Sequence, residues 1–293
     1  MSIQQAQPSP VIKIDHLSHR YGKKAIYKDL NLIIEKGKIF GLLGKNGVGK
    51  STLINLLMGY LKPEQGQCLV FGEHANHLSP ATRARIALLY EGFINYDTLT
   101  IRQAEQFYAA FYPKWQPQHF DHLMTLMDVD FNQPLSSLSF GQKSQVILGL
   151  LIAQNADLLI LDDYSMGLDA GYRRLFVDYL SDYLHGTDKT VLITTHVMSD
   201  LEHLIDEIAI VDRSTQVYQS SMKAFNHAFQ CFSSPDAISL KSSPKIHRIE
   251  KYRQKHKIYA FHDQQTLETE LGIPLTPEPM TFEDRFLGFV GKY

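Results

Sequence analysis

Residues 44–52 read Gly44-Lys45-Asn46-Gly47-Val48-Gly49-Lys50-Ser51-Thr52, a glycine-rich turn closed by a lysine and two hydroxyls. The spacing G-x-x-x-x-G-K-[ST] carries chemistry only where a strand leads into it and a helix leaves it. Both are expected here, because Lys38 to Leu43 is the apolar run of a buried strand and a helix is predicted from about Lys50. In that setting the glycines let backbone N–H groups close around phosphate oxygens. Lys50 would reach the β- and γ-phosphates, Ser51 would ligate Mg2+, and the helix N-terminus would favour the same anion. A glycine-rich turn of no function is the alternative, and the flanking elements argue against it.

Working outward, strand and helix signals alternate from about Val11 to Val217, which predicts a mainly parallel α/β sheet. The stretch before the loop reads as β-strands with turns at Tyr21-Gly22 and Glu35-Lys36-Gly37. Ala84 to Leu151 reads as predominantly helical, with an aromatic cluster of Phe107, Tyr108, Phe111, Tyr112 and Trp115, as an inserted helical subdomain would. A short apolar run, Ala156 to Asp162, ends in acids. A helix over Tyr172 to Leu184 and a buried strand over Thr190 to Thr195 follow. After about Ser214 the composition shifts toward Ser, Pro, His and Lys, which predicts a main domain over 11–217 and a small accessory region over 218–293.

Composition excludes several classes of function. Lys and Arg number 29 against 31 Asp and Glu, a net charge of -2 that gives no electrostatic case for nucleic acid. The two cysteines, Cys68 and Cys231, are too few for a disulfide framework or a zinc pattern, which fits a reducing, cytoplasmic setting. The first residues, MSIQQAQPSPVIKI, lack the charged start and apolar core of a secretory signal. No apolar run reaches the roughly 18 to 20 residues of a membrane helix, so work at a membrane would go through a partner.

The phosphate loop alone specifies a P-loop nucleotidase. The Asn-Lys-x-Asp element with which GTPases read guanine is absent. Leu158-Leu159-Ile160-Leu161-Asp162 is an apolar strand ending in a carboxylate, placed to hold Mg2+ through water. Just upstream, Leu138-Ser139-Phe140-Gly141-Gln142 resembles the LSGGQ signature of the ABC transporter ATPases, and Ser139 is also a predicted helix N-cap. Three further elements resemble that family in order. Tyr21 matches the aromatic that stacks on adenine, with a strand core aromatic as the alternative. Gly167-Leu168-Asp169 matches the D-loop, with a plain turn as the alternative. His196 matches the switch histidine at the γ-phosphate.

The resemblance covers about Val11 to Val217 and implies a P-loop ATPase core with a mainly parallel sheet, an antiparallel β subdomain, an inserted helical subdomain and a small C-terminal domain. It implies ATP and Mg2+ as cofactors. It also implies a second ATP-binding subunit, identical or similar, whose signature helix covers the ATP held by this chain's phosphate loop. A separate transmembrane permease would be driven from its cytoplasmic face. The ending Met280 to Leu287, with Thr281 and Asp284 at capping-box spacing, resembles the terminal helix of single-domain exporter ATPases.

Two positions depart from the pattern. After Asp162 the family usually has Glu, the presumed general base, where this chain has Asp163 followed by Tyr164. Asp163 is expected to act on the attacking water more slowly. Glu91 stands at the usual Gln position of the Q-loop, where it could ligate Mg2+ or simply be a solvated acid. The residues from Phe93 to Tyr112 should form the groove for a permease helix, most of their aromatics being expected in the subdomain core. Rival readings are a nucleotide-gated clamp on ribosomes or DNA and a regulatory subunit with little turnover. The chain carries neither the double cassette nor the coiled coils and zinc motifs of the clamps.

Overall fold

Runs of apolar residues too short for helices and too continuous for half-exposed strands make the centre of this molecule a sheet buried on both faces. The computed structural model describes residues 9–90, 98–165, 168–195, 202–212, 217–234 and 243–291. The chain divides into two compact units, Met1–Gln219 and Ser220–Tyr293.

In the first unit the elements follow as β1 (Ile12–Tyr21), β2 (Lys24–Ile34), β3 (Ile39–Gly44), α1 (Lys50–Leu57), β4 (Gln65–Val70), β5 (Glu73–His74), α2 (Pro80–Arg83) and β6 (Ile86–Leu89). Next come α3 (Ile101–Ala109), α4 (Pro117–Leu126), α5 (Phe140–Ala153), β7 (Leu158–Leu161), α6 (Ala170–Leu184), β8 (Thr190–Thr195), β9 (Glu207–Val211) and, running two residues past the unit's end, β10 (Val217–Ser221).

Six strands form the central sheet in the order β10-β9-β3-β8-β7-β6. The five from β9 to β6 run parallel, with Leu43 opposite Thr195 and Leu161 opposite Ile193. Every residue of β7 and β8 is buried. A second sheet, β2-β1-β4-β5, is antiparallel. One core joins the two sheets through α1, whose Leu53, Ile54, Leu56 and Leu57 are all 1% exposed or less. Residues at the carboxyl ends of β3, β7 and β8 therefore lie side by side, where parallel sheets bind ligands.

Two expectations from the sequence are corrected. Ile86–Leu89 is not helical: it is β6, paired in register with β7 from Ile86 opposite Leu158 to Leu89 opposite Leu161. Four apolar residues fit a strand and one helical turn equally well, and only the partner strand decides. The aromatics near α3 are also not core. Phe107 and Phe111 are 44% and 67% exposed, and Tyr108, Tyr112 and Trp115 are half-buried. The core of this helical part is Phe120, Leu123 and Met124 of α4 against α5. The contact is close enough that a Cβ on Gly149 would lie 2.9 Å from Phe120 Cδ2.

The second unit contains α7 (Met222–Ala228), β11 (Gln230–Ser234), β12 (Arg248–Tyr252), β13 (Lys255–Ala260), α8 (Gln264–Leu271), β14 (Thr276–Glu278) and α9 (Phe282–Val290). Its sheet, β12-β13-β11-β14, is antiparallel and buries Phe232, Ile258, Ala260, Leu267 and Leu275. α9 opens with the capping box its spacing predicts. Thr281 Oγ1 accepts from the Asp284 N–H at 3.1 Å, and Asp284 Oδ2 accepts from the Thr281 N–H at 3.0 Å.

Candidate active site

The phosphate loop runs from β3 to α1 and is held from two sides. A Cβ at Gly44 would lie 2.8 Å from the carbonyl oxygen of Val211 on β9. Gly47 and Gly49 take φ values of 77° and 118°, a region glycine enters without strain. Gly49 also packs under β2, where a Cβ would fall 2.4 Å from Ile26 Cγ2, and its carbonyl accepts a 2.9 Å hydrogen bond from the Tyr27 hydroxyl. Gly49 caps α1 without a side-chain bond, and the first turn carries no acidic residue. The dipole and early N–H groups of α1 are thus offered to an anion. Lys50 folds back along the loop, its Nζ donating to the carbonyls of Gly44 at 2.6 Å and Lys45 at 3.2 Å. Lys45, Asn46, Ser51 and Thr52 are exposed or half-buried on this loop, and Val48 is buried.

Two strands away, β7 ends at Asp162 and Asp163. Asp162 is 3% exposed, and its Oδ1 accepts a 2.6 Å hydrogen bond from Thr194 Oγ1 on β8, while its Oδ2 is buried without a hydrogen-bond partner. Thr194 Oγ1 also accepts the Asp163 N–H at 2.9 Å, so one hydroxyl fixes both acids. Asp163 sits at φ 45°, the left-handed region, which costs a non-glycine residue roughly 1–3 kcal/mol and persists only where surroundings enforce it. Its Oδ1 accepts from Ser165 Oγ at 3.3 Å. Tyr164 turns inward and stacks on Phe176 of α6, ring centroids 4.3 Å apart, which explains how the chain accommodates an aromatic there.

The signature segment begins α5. Ser139 is its N-cap: the Ser139 Oγ accepts from the Gln142 N–H at 3.2 Å, and Gln142 Oε1 accepts from the Ser139 N–H at 2.9 Å. Gln142, predicted as a nucleotide contact, is occupied in this box. Gly141 is buried against α6, where a Cβ would lie 2.5 Å from Tyr172 Cδ2. Phe140 is exposed. Asp169 caps α6, its Oδ1 accepting the Tyr172 N–H at 2.9 Å. Gln145, fully buried, donates from Nε2 to the Tyr172 carbonyl at 3.0 Å and ties α5 to α6.

Tyr21, at the tip of the β1–β2 hairpin, is 50% exposed, as a stacking platform requires and a core aromatic does not. Glu91, Gly167 and His196 lie outside the described residues. Sequence reasoning missed Thr194, Tyr27 and Gln145, whose partners are 22 to 32 residues away in sequence; nothing in their local sequence marks them.

Among the described residues no group of three His, Cys, Asp or Glu is arranged to hold a metal. The orphaned Asp162 Oδ2 still fits Mg2+, which is commonly held by one or two carboxylates together with substrate phosphates and water. Beside the acids, a 740 Å³ cleft is lined by Asp162, Asp163, Tyr60, Tyr90, Tyr108 and Tyr112 among others.

The ABC transporter family model matches residues 27–165. Over 203 residues the chain is 30% identical to the ABC transporter ATP-binding protein YtrB of Bacillus subtilis, covering 69% of each chain. It is 26% identical over 310 residues to the Nod factor export ATP-binding protein I of Sinorhizobium fredii, covering 99% of this chain and 89% of the relative. Among solved structures, an ATP-binding subunit of an ABC transporter superimposes with a TM-score of 0.65 at 20% identity, covering 74% of this chain and 92% of that one. A bacterial Atm1-family ABC exporter with ATP bound gives 0.65 at 18% identity, over 75% of this chain and 40% of that one.

Proposed function

Since this chain belongs to the ABC transporter ATP-binding family and is an ATP-hydrolysing subunit, we propose that its hydrolysis depends on Mg2+, on Asp163 and on a second ATP-binding subunit, and drives an exporter permease on another polypeptide. The observation that carries this reading is the pair of acids at the end of β7, fixed by Thr194 with Asp162 Oδ2 buried and unpartnered.

Lys50 exchanges its loop carbonyls for β- and γ-phosphate oxygens, a better partner for an ammonium. The Asp163 carboxylate takes a proton from the attacking water as its oxygen bonds to the γ-phosphorus, and the bond from that phosphorus to the bridging oxygen of ADP breaks. Held by Ser51 and Asp162, Mg2+ would neutralise charge on the β- and γ-phosphates. Asp163 is one methylene shorter than Glu and must reach further toward the water, which predicts slow chemistry and a long-lived ATP-bound dimer.

The phosphate loop does not line the 740 Å³ cleft. Nucleotide on the phosphate loop would be covered by a partner's Ser139 and α5 N-terminus, whether the partner is this chain or a similar one. ATP moves the transporter only by binding the closed dimer more tightly than the open one. The cleft, lined by Tyr60, Tyr90, Tyr108 and Tyr112 beside apolar side chains, suits a permease helix. No described helix is long and apolar enough to cross a membrane, which is consistent with a subunit held at the cytoplasmic face by that permease. The full-length similarity to a relative named for export supports outward transport.

Steady-state release of phosphate from ATP, with and without Mg2+, tests this reading. Turnover should require Mg2+ and vanish in Lys50→Ala. Turnover that persists in Lys50→Ala, or in excess EDTA, would sink it.

A further inference from the structure

His19 is a buried imidazole without a hydrogen bond. It lies on β1 with 7% of its surface exposed, and neither Nδ1 nor Nε2 has a hydrogen-bond partner. Leaving a polar group unsatisfied in the interior costs as much as a lost hydrogen bond, so its retention calls for another contact. That contact is Tyr21: the two rings meet T-shaped, with centroids 5.1 Å apart and an interplanar angle of 89°. Either tautomer of the imidazole carries one N–H, and an aromatic face is a weak acceptor for it. Register places His19 directly opposite Tyr27, whose hydroxyl holds the Gly49 carbonyl of the phosphate loop. His19 thus occupies the position between the exposed ring at the hairpin tip and the residue that ties the hairpin to the loop.

We infer that His19 is a positioning residue for the nucleotide, whose imidazole holds the Tyr21 ring in the orientation onto which adenine stacks. The inference rests on the reading of Tyr21 as the adenine platform. Half of Tyr21 is in solvent, so without a neighbour its ring would have to be ordered as nucleotide binds, at a cost in affinity. A T-shaped pair that orders it beforehand is worth about a two- to tenfold change in affinity. His19 need not touch the nucleotide, so its loss should appear in KM and Kd rather than in kcat.

The test is a double-mutant cycle on the full chain. ATP affinity is measured by calorimetry, and KM and kcat by phosphate release, for wild type, Tyr21→Ala, His19→Leu, His19→Phe and the combinations with Tyr21→Ala. The expected result is that His19→Leu weakens ATP about two- to tenfold with kcat unchanged. His19→Phe, which keeps an aromatic edge and fills the same space, recovers most of the loss. In the Tyr21→Ala background neither substitution has a further effect. If Tyr21→Ala weakens binding but His19→Leu does not, or the two losses simply add, the inference is overturned while the platform stands. If Tyr21→Ala leaves affinity unchanged, the platform itself is wrong and the inference falls with it. Should His19→Leu fold poorly, the cycle with His19→Phe and His19→Gln decides: Gln should weaken ATP and Phe should not, and equal affinities in the two overturn the inference.

Discussion

Gly141→Ala separates two reasons for a glycine in the signature. Alanine is favoured over glycine in a helix by about 1 kcal/mol, so on helix propensity alone the change should stabilise α5. The fold argues the reverse. A Cβ at 141 would meet Tyr172 at 2.5 Å from Cδ2, 2.9 Å from Cε2 and 3.2 Å from Cγ, where ordinary contact begins at 3.4 Å. Because Cγ is among the three, rotating the ring about its own axis does not relieve the clash, and α5 must move from α6 or Tyr172 must change rotamer. Overpacking of this kind costs about 1–3 kcal/mol; less the gain of about 1 kcal/mol in helix propensity, a net loss of about 0–2 kcal/mol follows. Urea unfolding followed by Trp115 fluorescence reads it, since Trp115 is the single tryptophan and its Nε1 donates to the buried Glu105 in the same unit. Adding Tyr172→Ala removes the obstacle, so Gly141→Ala should be neutral or stabilising in that background. An alanine variant more stable than wild type, or one whose effect is the same with and without Tyr172, refutes the packing argument. If stability returns in the double variant but hydrolysis does not, Gly141 is also needed where backbone approaches phosphate.

Three further outcomes are expected. Asp163→Glu should raise the single-turnover rate of ATP hydrolysis in rapid-quench experiments and Asp163→Asn should abolish it; an unchanged rate in the glutamate variant would refute the slow-base account. Thr194→Val removes the hydroxyl that donates to Asp162 Oδ1 and accepts from the Asp163 N–H. It should cost about 1–3 kcal/mol of stability, the price of a buried group left unsatisfied, and should raise the Mg2+ concentration needed for half-maximal hydrolysis; the methyl-for-hydroxyl swap leaving both unchanged would show that Thr194 does not fix the acids. Burial pushes the thiol of Cys68 up to about 12 and that of Cys231 up to about 11. Both are therefore neutral at pH 8, and Ellman's reagent should report fewer than two reactive thiols until urea is added; immediate reaction of both would show that these sites open readily.

The order of strand and helix around the phosphate loop was legible because each signal there is local. Gly44, Gly47 and Gly49 sit where the turn needs them, and the apolar runs before Gly44 and Asp162 are long enough to read as buried strands. The Ser139 and Thr281 caps were equally legible, since a capping box joins residues three apart. What the sequence hides is pairing at a distance. The strand at Ile86–Leu89 is too short for its period to be seen, and it became a strand because β7 offers a parallel edge. The roles of Thr194, Tyr27 and His19 depend on neighbours supplied by the fold. Gln142 is the converse case: a residue of the signature whose side chain is engaged in its own helix cap. The exposed aromatics Phe107 and Phe111 were expected inside because hydrophobicity alone does not say which aromatics a fold buries.

The central claim, that ATP hydrolysis here drives a membrane partner on another chain, is tested most directly by purifying the tagged protein from detergent-solubilised native membranes, with and without ATP, and weighing what comes with it. A stoichiometric polypeptide with several apolar spans, whose presence raises the rate of ATP hydrolysis, is the expected result. Recovery of ribosomal or other soluble partners alone, from protein that is folded and binds ATP, would contradict the claim and favour a nucleotide-gated clamp.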